Sequence, residues 1–130
     1  MIKTKSIYDS KEKNDGTRIL ITRYWPRGIK KDHFDRWIKE LSPSTELLKQ
    51  YKNKKIDVQT FEKLFLREIK TSKSIKVCKE IANECIQGTN FTLLCYEKEE
   101  SICHRKFVKN ICEKELSKLM INHKDKCYKY

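Results

Sequence analysis

Two short apolar runs, set far apart with helix-like sequence between them, constrain this chain more than any other feature. Ile19-Leu20-Ile21 is apolar without alternation, and Phe91–Cys95 is apolar but for Thr92. That pattern suits a strand covered on both faces. Between them, apolar residues recur at helical spacing. Helices joining one buried strand to another argue for a right-handed crossover and a parallel pair. The expected fold is therefore α/β: a small, mainly parallel sheet with helices packed on its faces. With 130 residues, one domain spanning 1–130 is the simplest organisation.

The flanking segments fill in this scheme. Ile2–Tyr8 reads as a weak, lysine-bearing strand at a sheet edge, where lysine discourages further pairing. A turn at Asn14-Asp15-Gly16 allows an antiparallel hairpin with Thr17–Thr22. Phe34, Trp37, Ile38 and Leu41 have the spacing of a helix capped by Asp32. Ser42-Pro43 reads as the N-cap and first residue of the next helix, and Asp57 as the cap of a third. A fourth helical stripe runs from Ile75 to Ile86 and ends at Gly88. The last helix starts near Cys103, and 122–130 is expected as a loose tail or a short final strand.

The formal charge is +12, which favours polyanionic partners such as nucleic acid or a nucleotide. Only six of the thirty basic residues are arginine, so lysine enrichment from an AT-rich genome explains the balance equally well. The apolar runs are too short to span a membrane, and the first residues lack a secretory apolar core. A cytoplasmic protein is expected. Its six cysteines are then expected as reduced thiols. With no C-x-x-C pair, neither a structural zinc site nor any other cofactor is expected.

Asp15–Gly28 (DGTRILITRYWPRG) and Trp37–Leu47 (WIKELSPSTEL) resemble the YeaO-like proteins, catalogued as domain of unknown function 488. Leu93–Arg105 (LLCYEKEESICHR) is similar to a C-E…C-H-R signature in another branch of that family. The resemblance implies a compact α/β domain and supplies no established chemistry. The chain departs from the usual pattern at Thr22, where an acid is expected before the arginine.

The candidate site follows from strand order. If the two buried strands are parallel neighbours, the Arg23–Gly28 loop faces the Cys95–Arg105 loop across one cleft, at the edge where open α/β sheets bind ligands. Arg23, Arg27 and Arg105 can grip a phosphate, or pair with sheet-end carbonyls and Glu97. Trp25 can stack on a base or pack on a neighbouring helix. Cys103 at a helix mouth is a candidate nucleophile, with His104 and Glu97 as acid–base candidates. An arginine six positions on is absent: Lys109 stands there from Cys103 and Ser101 from Cys95. That excludes a Cys-loop phosphatase.

Overall fold

The computed structural model of the chain describes residues 1–71, 73–96 and 104–128. In chain order its elements are β1 (Ile2–Ser6), β2 (Thr17–Leu20), β3 (Arg36–Trp37), α1 (Thr45–Lys52), α2 (Val58–Thr71), α3 (Ser74–Ile86), β4 (Phe91–Cys95) and α4 (His104–Tyr128). The strands form one sheet in the order β1-β4-β2-β3, and every pairing is parallel. This is a small single-domain α/β fold.

The most apolar segments take the centre. All five residues of β4 are buried, and its neighbours align Ile2 and Thr17 with Phe91. Lysine-bearing β1 lies at the edge. The expected hairpin between the first two strands does not form. β4 stands between them, because its two apolar faces gain most from a central place. The 7–16 connection therefore passes the start of β4, where the Thr17 amide donates to the Asn90 carbonyl at 2.8 Å. Gly16 sits there at φ 66°, and a Cβ would run into that carbonyl. Only glycine meets both demands without strain.

The helices share one face of the sheet. Ile2, Ile19, Ile21, Phe91, Leu93 and Cys95 pack there against Leu47 of α1, Phe65 of α2, Ile81 of α3 and Val108 of α4. On the other face, Ile7, Leu20 and Leu94 are covered by Phe34, Ile29 and Trp37, which lie outside every α-helix. Strand alternation sends successive side chains to these two layers.

The 34–41 segment departs from its expected helix. After a 3-10 turn at Lys31–His33, it forms β3 and then a 3-10 turn at Lys39–Leu41. The open edge of β2 explains the change. Asp35 donates its amide to the Arg18 carbonyl at 2.8 Å and Ile38 to Leu20 at 2.9 Å. The apolar residues then divide, Phe34 and Trp37 going to the loop-covered layer, Leu41 and Ile38 to the helical one. The cap of α1 is Ser44 rather than the expected Ser42, its Oγ accepting from the Leu47 amide at 3.2 Å. Ser42 instead closes the preceding turn onto the Lys39 carbonyl. Asp57 caps α2 as expected, accepting from the Thr60 amide at 2.8 Å. α4 continues through Tyr128, so 122–128 is helix rather than a loose tail or strand. No proline or glycine interrupts that stretch.

Candidate functional site

Because all strands are parallel, their C-terminal ends share one edge of the sheet. β2 and β4 are neighbours, so the segments leaving them meet. The Ile21 amide extends the pairing to the Leu94 carbonyl at 3.1 Å. Beyond it, the Tyr96 hydroxyl donates to the Tyr24 carbonyl, which also accepts from Thr22 Oγ1 at 2.9 Å. Burial, opposed by its hydrogen bonds, pushes the Tyr96 phenol above its ordinary range.

His104 opens α4 against this junction. Its Nε2 lies 2.6 Å from the Ile21 carbonyl and 3.5 Å from Sγ of Cys95. A carbonyl only accepts, so Nε2 carries the proton in the neutral ring. The imidazole edge also meets Phe65 of α2, with ring centroids 5.7 Å apart. Cys95 is fully buried. Cys78, Cys85 and Cys112 are buried too, and all four are free thiols. Glu97 and Cys103 lie outside the described residues.

The arginines have separate fates. Arg105 is fully buried, with Nη1 3.4 Å from the Lys5 carbonyl. It faces the end of β1 rather than solvent. Arg23 is half-buried, its Nε donating to the Pro43 carbonyl at 2.9 Å and Nη2 approaching that of Ser42 at 3.4 Å. Arg27 is exposed, and its carbonyl accepts from the Tyr8 hydroxyl at 3.2 Å. Trp25 anchors Nε1 on the Ile29 carbonyl at 2.8 Å and sets its ring edge-on to Phe34 and Trp37.

A groove of about 490 Å³ opens beside Arg23, with Lys39, Lys73, Ser44, Glu68 and Ser74 among its walls. Glu68 takes the Ser44 amide at 3.0 Å and its hydroxyl at 2.5 Å. A carboxylate thus already occupies the N-terminus of α1, as the helix dipole favours. The cations here come from three separate segments, which is why no sequence motif announced them.

Sequence reasoning also missed a buried ion cluster on the loop-covered face. Asp15 and Arg18 are both fully buried and paired. Lys3 and Lys5 each reach Asp15 at 3.1 Å, and Arg18 Nε donates to the His33 carbonyl at 2.9 Å. Burial alone would raise the Asp15 pKa. The Glu12 amide, Lys5, Lys3 and Arg18 outweigh it and hold the carboxyl well below its usual range. The signal was an acid three residues before an arginine embedded in an apolar strand.

Among the described residues, no group of three or more His, Cys, Asp or Glu is placed to hold a metal ion. No helix there is long and apolar enough to cross a membrane.

A family model described as "Active DUF488-N3 subclade" matches residues 2–116. The chain belongs to the DUF488 family. Within this family it is 47% identical over 70 residues to "Uncharacterized protein YeaO" of Escherichia coli K12, covering 52% of this chain and 61% of that relative. It therefore spans less than two thirds of YeaO. It is 25% identical over 87 residues to "Uncharacterized protein Mb3100c" of Mycobacterium bovis, covering 65% of this chain and 74% of the relative. No solved structure matches.

Proposed function

We propose that this DUF488 domain binds a phosphate-bearing ligand, nucleic acid or a nucleotide, at the C-terminal edge of its sheet. The observation that carries the reading is the groove beside Arg23, where Lys39 and Lys73 add two cations from other segments. Glu68 is engaged by Ser44 and Lys39 rests its ammonium over the Trp37 ring at 4.3 Å; with Glu40 also on the groove wall, Arg23 and Lys73 carry the proposed contact with an anion. Arg27, exposed in the segment that follows β2, adds a further cation outside the groove, and Arg105 lies beneath, its Nη1 3.4 Å from the Lys5 carbonyl near the end of β1. His104, half-buried at the junction, is the described group suited to move a proton. The subclade's description as active favours processing over binding alone. Four buried free thiols suit a reducing, cytoplasmic setting.

The test is a titration with a labelled oligonucleotide and with ATP at several salt concentrations. Affinity should fall steeply with salt. Arg23→Ala and Lys73→Ala should each weaken binding about tenfold, the scale of one lost charge-assisted hydrogen bond. Lys79→Ala, outside this groove, should act only through net charge. Equal losses in all three variants, or no binding at low salt, would sink the reading.

A second reading, thiol chemistry, draws support from the imidazole held against Cys95 and adjoining Cys103 in sequence. It predicts that Cys103 is alkylated at a pH well below that of an ordinary thiol. A Cys103 reacting no faster than Cys127 in the folded protein rules it out.

A further inference from the structure

Large aromatic side chains left in water need a reason, and here they share an address. Among residues of described burial, the exposed large aromatics are Tyr8 at 54%, Tyr24 at 59% and Trp25 at 42%. All three lie in segments leaving the C-terminal ends of β1 and β2. None lies on a helix.

Hydrogen bonds tie these segments into one rigid rim. The Tyr8 hydroxyl holds the Arg27 carbonyl. Tyr96 and Thr22 both hold the Tyr24 carbonyl. The Trp25 indole N–H closes its own loop onto Ile29, and the edges of Phe34 and Trp37 brace its ring. The Ser6 hydroxyl donates to the Tyr96 carbonyl at 3.1 Å, so the ends of β1 and β4 converge on the same place. The polar ends of Tyr8 and Trp25 and the backbone of Tyr24 are held, while ring surface stays open to solvent. Exposed Arg27, Lys30 and Lys31 follow in the same loop.

Fixed aromatic surface beside long-stemmed cations suits one class of polyanion. Unpaired bases offer π-faces to stack on, while the phosphates between them meet Arg and Lys. A duplex hides those faces in its own stack, and a lone nucleotide offers a single base to three rings. Building on the phosphate-ligand reading, we propose that the ligand is a single-stranded nucleic acid, laid along this rim with bases on Tyr8, Tyr24 and Trp25.

The experiment is fluorescence anisotropy with labelled decathymidylate, an abasic decamer of equal charge, and a duplex, using the full chain. Decathymidylate should bind about fivefold or more tightly than the abasic strand. Tyr24→Ala and Tyr8→Ala should each remove most of that advantage while leaving the salt dependence unchanged. Tyr24→Phe, which keeps the ring, should retain it, and thermal melts of all three variants establish that they fold. Equal binding of abasic and normal strands would overturn stacking while leaving phosphate binding intact. A duplex that binds as well as the single strand would overturn stacking in the same way. Binding to none of the three would overturn both proposals.

Discussion

A single residue, Asp15, shows how much one buried charge can carry. It stands among Arg18, Lys3 and Lys5 with its side chain sealed from solvent. Replacing it leaves Arg18 buried without its carboxylate, and breaking such a pair costs about 3 kcal/mol or more. Asp15→Asn should show that loss in urea denaturation at neutral pH. The pH dependence has a definite sign. The folded-state pKa is depressed, so the stabilisation is present above the unfolded carboxylate pKa of about 4 and fades as pH falls below it. The variant's stability should change less than the wild type's across that acidic range. Identical curves would mean that the cluster contributes nothing. The sequence hinted at this pair through its spacing, but Lys3 and Lys5 join only because β1 lies two strands from β2 with β4 between.

Single elements are positioned by their caps. α1 has eight residues, short for a helix to persist without help. Ser44 helps twice, capping Leu47 through Oγ and tying the helix start to Glu68 of α2. Ser44→Ala should cost about 1–2 kcal/mol, read as a lower denaturation midpoint at unchanged slope. It should also remove the hydroxyl bond to Glu68 while keeping the bond from the residue-44 amide, sharpening the carboxylate's repulsion of an anion in the Arg23 groove and weakening ligand affinity. A stable variant with tighter binding would contradict this arrangement. The cap falls on Ser44 instead of Ser42, although both precede apolar runs. Tertiary context chose between them, with Glu68 arriving from α2. The 34–41 segment makes the same point more strongly. Its periodicity fits a helix, yet the free edge of β2 drew it into the sheet, where backbone groups find partners directly.

At the scale of the molecule, charge and topology set what the surface can meet. A balance of +12 draws polyanions whatever the local geometry, so salt dependence alone cannot identify a site. The contrast between Arg23 or Lys73 and Lys79 does so, since each substitution removes one charge from a different place. Parallel pairing throughout gathers every strand exit onto one edge, and the groove, the aromatic rim and His104 all lie along it.

Local pattern was enough for the two central strands, because apolar residues on both faces of a strand have nowhere else to go. It also determined the later helices, whose apolar stripes demand a common core, and so the edge where the connecting loops must meet. The fate of each charge, by contrast, was settled by long-range packing. Arg18 and Arg105 are buried, Arg23 rests on turn carbonyls and Arg27 faces solvent, though all four carry the same guanidinium. Whether a guanidinium can leave water depends on acceptors delivered by distant segments, and no local pattern specifies those.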